Sequence, residues 1–149
     1  MSEALPVDDG RCFACGPYNA EGLHLRFEPV GEGEVRAQIT LPPRFQGWRG
    51  AAHGGVVATL LDEAMAYACG AAGERGMTAA IQMRFRAPVP LGEPLTVTGK
   101  VKWRRRNVLA LEAAVCDARG AVLAGAEGSF VSKGPLGKER LGVPDAPRS

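Results

Sequence analysis

The sequence has no apolar run of the ~18–20 residues that a membrane-spanning helix needs. Its first residues, MSEALPVDDGRC, include acids and contain no apolar segment typical of a secretory signal. We therefore expect a cytoplasmic protein with no membrane partner. In that compartment the four cysteines are expected to be reduced thiols. They are Cys12, Cys15, Cys69 and Cys116.

Excess charge of one sign is also lacking, and histidine is scarce. The formal net charge is +2, so the composition gives no general case for nucleic-acid binding. Histidine occurs only as His24 and His53. The pair Cys12-x-x-Cys15 supplies two of the four ligands of a tetrahedral zinc site. A redox motif of the thioredoxin type needs a βαβ pattern, which is absent. We expect a packed turn and no metal, with a zinc site shared between two copies as the alternative.

What the sequence does contain is a regular succession of elements within 149 residues, a length that favours one domain. Alternation of apolar and polar residues predicts a hairpin, then a helix from Gly55 to about Ala72, then four more strands. The strands are predicted at 23–28, 35–41, 78–86, 94–105, 108–116 and 122–132. This order predicts an α+β domain in which one helix covers one face of an antiparallel sheet. Residues 1–19 form a leader, 20–132 the domain, and 133–149 a mobile tail.

The helix segment HGGVVATLLDEAM, residues 53–65, is apolar on nearly every side, yet it carries adjacent acids. Such a helix does not lie on a surface, so we expect a sheet to wrap it and a second copy to cover the rest. Burying an ionised carboxylate is unfavourable unless the group is paired. Asp62 or Glu63 is therefore a candidate general base or nucleophile. The alternatives are that Glu63 pairs with Arg84 or Arg86, and that Asp62 faces water at a subunit edge.

The start of the helix is a candidate oxyanion site. Its first amides lack internal partners and carry the positive end of the helix dipole. Gly54 and Gly55 have no side chains, so a substrate oxygen can approach those amides closely. His53 orients the loop, contacts the substrate or caps the helix. Gly54 and Asp62 are about 12 Å apart along the axis at ~1.5 Å per residue, so a site using both is expected between two copies.

These residues resemble a known family. His53-Gly54-Gly55 followed by Asp62, the order of elements over residues 20–132 and the leader CFACGPYNAEGL are similar to hotdog-fold acyl-CoA thioesterases of the PaaI-like and 4-hydroxybenzoyl-CoA thioesterase group. The resemblance implies a hotdog fold, in which a curved antiparallel sheet of about five or six strands wraps one long central helix. It also implies a homodimer or homotetramer and hydrolysis of an acyl-CoA without a cofactor or metal.

The resemblance assigns roles to four residues: Asp62 is the catalytic acid, Gly54 the oxyanion donor, His53 its neighbour, and Thr78 an assisting hydroxyl. One position departs from the pattern. An asparagine that several members carry six residues before the histidine is Gly47 here, with Gln46 adjacent as a substitute.

Candidate substrate-binding residues are assigned by chemistry. Phe45 and Trp48 line an acyl pocket or form a dimer contact. Arginines suit the phosphates of coenzyme A. The full set is Gly55, Gln46, Phe45, Trp48, Arg84, Arg86 and Arg104.

Two other activities remain open from the sequence. One is a non-catalytic acyl-CoA-binding or regulatory hotdog domain. The other is a hotdog hydratase, which uses a histidine beyond the acid in the chain. Both histidines here precede Asp62, which argues against the hydratase. Whether Asp62 acts as general base or as nucleophile also remains open.

Overall fold

The computed structural model describes residues 8–136. Its elements are β1 (Glu28–Gly31), β2 (Glu34–Thr40), a 3₁₀ turn (Pro43–Phe45), α1 (Gly54–Ala71), β3 (Glu74–Phe85), β4 (Pro94–Arg105), β5 (Val108–Cys116) and β6 (Val122–Pro135). Most of the predicted tail, residues 137–149, lies outside the described residues, as do residues 1–7. Strand β6 continues three residues past the end predicted for it.

The six strands form one antiparallel sheet in the order β1-β2-β4-β5-β6-β3, and α1 packs on one of its faces. This confirms the predicted α+β hotdog architecture. After α1 the chain returns at the edge of the sheet opposite β1. There the twelve-residue strand β3 pairs, among the described residues, with β6 alone. No helix within residues 8–136 combines the length and apolarity needed to cross a bilayer.

One side of α1 is buried against the sheet. Its buried residues are Val57, Leu60, Leu61, Ala64, Met65, Ala68, Cys69 and Gly70. A Cβ on Gly99 of β4 would lie 2.2 Å from the Ala64 carbonyl oxygen, so the backbones of strand and helix approach as closely as only glycine permits. The opposite side of α1, around Gly55, Thr59 and Asp62, stays partly exposed in a single chain.

The first predicted strand is displaced. Leu23, Leu25 and Phe27 are buried, as the alternation indicated, but strand β1 begins only at Glu28. The N–H groups of Leu23 and Leu25 donate to the carbonyls of Phe13 and Ala14, at 2.7 and 2.8 Å. The alternation of apolar and polar residues predicted correctly which side chains are buried. It predicted the wrong pairing segment, because Leu23 and Leu25 bond to the leader and not to β2.

Candidate active site at the open side of the helix

Asp62 and Thr78 meet on the open side of α1. The Thr78 hydroxyl donates to Asp62 Oδ1 at 2.8 Å. Asp62 lies nine residues before the end of α1, or about 13.5 Å at ~1.5 Å per residue. Thr78 lies four residues into β3, or about 13 Å at ~3.3 Å per residue. Because the strand runs back beside the helix, these equal lengths bring the two side chains level.

A β-bulge turns Thr78 toward the helix. The register of β3 on β6 shifts between Thr78 and Ala80, and Thr78 pairs with Phe130, which is fully buried in the core. Without the extra residue, Thr78 would share the face of Gln82 and Arg84, which line a depression on the other side of the sheet. The bulge therefore re-aims one hydroxyl at Asp62, a known use of bulges beside functional sites.

The helix start presents one open amide. His53 is the N-cap, and its Nδ1 accepts a hydrogen bond from the Gly55 N–H at 2.9 Å. The Val56 and Val57 amides donate to the His53 carbonyl oxygen. Among residues 8–136, no acceptor contacts the Gly54 N–H. Gly54 is exposed, and a Cβ on it would meet no atom within 4 Å. His53 thus caps the helix, and the Gly54 N–H has no acceptor among the described residues.

Comparisons with known proteins identify the family of the chain. The model of the thioesterase superfamily, 4HBT, matches residues 49–124, which include the helix start, Asp62 and Thr78. The chain belongs to the thioesterase superfamily. A comparison with curated proteins gave no match.

Solved structures of thioesterase-superfamily proteins share the fold. The protein RHA08564 is 38% identical with a TM-score of 0.77, over 80% of this chain and 62% of that one, so this chain spans less than two thirds of that relative. The Escherichia coli PaaI protein of the phenylacetic acid degradation operon is 23% identical, with a TM-score of 0.72 over 78% and 85% of the two chains.

A third structure comes from Streptococcus pneumoniae. This hypothetical thioesterase, solved with coenzyme A, is 19% identical, with a TM-score of 0.71 over 76% and 91% of the two chains. The same protein has also been solved with a threonine and with an aspartate replaced by alanine.

The loop before the helix in this thioesterase-superfamily domain is closely packed at one glycine. A Cβ on Gly47 would lie 2.9 Å from His53 Cα, so the asparagine of the family pattern has no room here. The Gln46 Oε1 atom accepts from the Gly50 N–H at 3.1 Å, which occupies that side chain in holding the loop. Phe45 packs partly against the core, whereas Trp48 is 88% exposed.

The three candidate arginines do not converge on Asp62 within one chain. Arg84 and Arg86 line the outer depression, across the sheet from α1. Arg104 forms an ion pair with Glu74 and donates to the Arg106 carbonyl oxygen. Their role in binding phosphate stays a prediction. The alternative that Glu63 pairs with Arg84 or Arg86 is wrong, because these residues lie on opposite sides of the sheet.

Glu63 instead faces the leader. Burial raises the pKa of its carboxyl group, a hydrogen bond with Cys15 lowers it, and the charge of Asp62 raises it further. Burial also raises the pKa values of the Cys15 thiol and the Tyr67 hydroxyl, which are hydrogen-bonded to each other. Sequence reasoning missed this cluster, although the C-x-x-C spacing of the leader was its signal.

Proposed function

We propose that the protein hydrolyses an acyl-CoA thioester to a free acid and coenzyme A, at a site shared by two copies of the chain. The observation that carries the proposal is the hydrogen bond from Thr78 to Asp62 on the open side of the helix. It orients one carboxylate oxygen and leaves the other available to a substrate. Membership of the thioesterase superfamily supports this choice of reaction.

The proposed chemistry needs two groups at one carbonyl. Asp62 either takes a proton from the attacking water or attacks the thioester carbon itself. The Gly54 N–H stabilises the negative charge that develops on the carbonyl oxygen, and the coenzyme A thiolate departs with the electrons of the carbon–sulfur bond. Where Asp62 itself has attacked, water then hydrolyses the transient anhydride, which releases the free acid and restores the carboxylate. Each group must lie within about 3 Å of its target atom.

One chain does not meet that requirement. Gly54 and Asp62 are separated by about 12 Å along α1, at ~1.5 Å per residue. Two antiparallel helices related by a twofold axis would bring Gly54 of each copy to Asp62 of the other, which makes two equal sites.

The surface of the single chain supports a second copy on this side. Within residues 8–136, one edge of strand β3 has no partner strand, a feature that proteins rarely leave open to solvent. Large apolar side chains are exposed on β3 and on the loop before α1: Met77 at 47%, Phe85 at 55% and Trp48 at 88%. We propose that β3 edges and α1 helices meet across the twofold axis. Whether two or four copies assemble depends on further contacts.

One relative supports both the proposed ligand and the proposed residues. The Streptococcus pneumoniae protein was solved with coenzyme A. The aspartate and the threonine that were replaced in that protein are 16 positions apart, which is also the separation of Asp62 and Thr78. We propose the same pair as the reacting carboxylate and its positioning hydroxyl. The proposed ligand needs no cofactor for hydrolysis, and the proposed location remains the cytoplasm.

Release of free thiol tests the proposal. The purified chain is incubated with short, long and aromatic acyl-CoAs, and thiol release is followed with a chromogenic disulfide reagent. We expect turnover with at least one class. Saturable acyl-CoA binding without thiol release would instead identify a regulatory binding domain. Hydration of an enoyl-CoA with an intact thioester would identify a hydratase.

A further inference from the structure

Three potential metal ligands converge between the leader and the helix. The Cys12 and Cys15 sulfurs and one Glu63 carboxylate oxygen all lie within 4.8 Å of one another. Glu63 is next to Asp62 in the chain but projects to a different side of α1, and the proposed hydrolysis does not use it. The cluster is therefore a group of potential metal ligands distinct from the proposed hydrolytic site.

The leader backbone is built to hold both sulfurs in a tight turn. The Gly16 N–H donates to the Cys12 carbonyl oxygen at 2.8 Å, and the Ala14 N–H donates to Cys12 Sγ at 3.4 Å. A Cβ on Gly16 would lie 2.4 Å from the Cys12 backbone nitrogen, so the turn requires glycine there.

The leader is also fastened to the rest of the domain by backbone bonds. Leu23 and Leu25 donate to carbonyls within the turn, at Phe13 and Ala14. The turn is therefore held over α1 before any ligand binds, and a preformed site loses little conformational freedom on binding.

We propose that Cys12, Cys15 and Glu63 bind one divalent cation of the zinc class. Two thiolates and one carboxylate are a ligand set that suits zinc, whereas calcium and magnesium prefer oxygen ligands alone. At a Zn–S distance of ~2.3 Å, tetrahedral geometry sets two sulfurs about 3.8 Å apart. Atoms already within 4.8 Å need to close by only about 1 Å.

The fourth ligand would come from a cavity of about 630 Å³ that the three residues line. A water molecule there would complete the tetrahedron. Besides Glu63, the lining carries three cationic residues, Arg11, Arg75 and Lys133, and three acids, Asp8, Asp9 and Glu74. These charges balance, so the two thiolates and the Glu63 carboxylate are the negative charge that a divalent cation would offset. The ion would tie the leader to the middle of α1 through Glu63, the residue that follows Asp62 in the chain.

Titration of the reduced full-length chain with Co²⁺ tests the site directly. Tetrahedral cobalt with thiolate ligands gives charge-transfer bands in the near ultraviolet and strong visible bands. We expect both, saturating at one equivalent per chain, and we expect added Zn²⁺ to displace the cobalt and erase them. Elemental analysis of protein purified without chelator should find zinc.

Three variants and one control assign the ligands. Cys12→Ser and Cys15→Ser should each weaken the thiolate bands and lower cobalt affinity. Glu63→Gln keeps both thiols and the leader turn, so it separates ligand loss from misfolding. It should lower affinity by at least about tenfold, the scale that even outer-shell partners of a metal carry. The control is Cys116→Ser, which removes a thiol outside the cluster.

Several results would overturn the proposal. The first is the absence of a saturable thiolate–cobalt band in the reduced wild-type chain. The second is cobalt binding that survives the loss of Cys12 or Cys15. The third is an affinity in Glu63→Gln equal to that of Cys116→Ser. Any of these would leave the cluster as hydrogen-bonded thiols that pack the leader.

Discussion

Asp62 and Glu63 are adjacent carboxylates with opposite surroundings. Asp62 lies on the open side of α1 and accepts one hydrogen bond, from the Thr78 hydroxyl. Glu63 is turned about 100° around the helix, where the leader covers it with Cys15. Burial raises the pKa of Glu63. For two acids that are neighbours on one helix, the segment packed against each carboxylate therefore determines its hydrogen bonds and its burial more than its position in the sequence does.

The two regions also differ in whether one chain supplies all the protein groups that each proposed site needs. The Glu63 region brings its protein ligands together within one chain. The Asp62 region has a carboxylate and a hydroxyl, while the open Gly54 amide lies at the far end of the same helix. An enzyme site on the open side therefore calls for a second copy, whereas a metal site under the leader does not.

The largest expected effect is on Asp62. Asp62→Asn removes the base or nucleophile while keeping size and hydrogen bonding, so thiol release should fall by about 10²–10⁴-fold. Steady-state kinetics with the best acyl-CoA measures it. Glu28→Gln is the matched control, because Glu28 is exposed on β1 at the other edge of the sheet. Equal rates in both variants would remove Asp62 from the chemistry.

The next effect concerns the open amide. Gly54→Pro deletes the N–H at the first helical position, where proline is well tolerated. His53 already has φ −58° and ψ 137°, which suit a residue before proline. We expect kcat to fall by about 10²–10³-fold with the helix intact by circular dichroism. Gly54→Ala keeps the N–H and should lose less. An equal loss in both variants would contradict an amide role.

A smaller effect is expected at Thr78. Thr78→Val keeps the shape and removes the hydrogen bond to Asp62, so kcat should fall by about 10–100-fold, the value of a bond to a charged group. Thr78→Ser retains a hydroxyl and should recover most of the rate. Because Thr78 positions another residue, KM should change much less than kcat. Valine and serine variants of equal rate would show that the hydroxyl is incidental.

The smallest effect is expected on the stability of the protein, from a substitution in the leader turn. Gly16→Ala places a Cβ against backbone atoms, so the turn must shift, which should cost about 1–3 kcal/mol of the free energy of unfolding. Urea denaturation measures it. Gly125→Ala is the control, since its Cβ would make only an ordinary contact at 3.6 Å with the Ala113 carbonyl oxygen. Equal free energies of unfolding for Gly16→Ala and Gly125→Ala would mean that the leader turn is not tightly packed.

Local patterns predicted most of the fold. Helix α1 and strands β4 and β5 lie where periodicity and turn residues indicated, because those signals act over a few residues. The family resemblance singled out Thr78, whose hydroxyl donates to Asp62, while its assisting role stays a prediction. The bulge that turns Thr78 inward has no mark in the alternation. Contacts between distant segments were missed, as with Leu23 on the leader and Glu63 beside Cys15. Periodicity identifies a buried face and does not identify what covers it.

Mixing two inactive variants tests the shared site most directly. Asp62→Asn and Gly54→Pro are unfolded together, refolded and assayed for thiol release. Random pairing makes about half of the dimers mixed, and each mixed dimer has one intact site of two, so activity should return to about a quarter of wild type. Activity no greater than that of the separate variants, in a mixture shown to contain mixed dimers, would mean that the site lies within one chain.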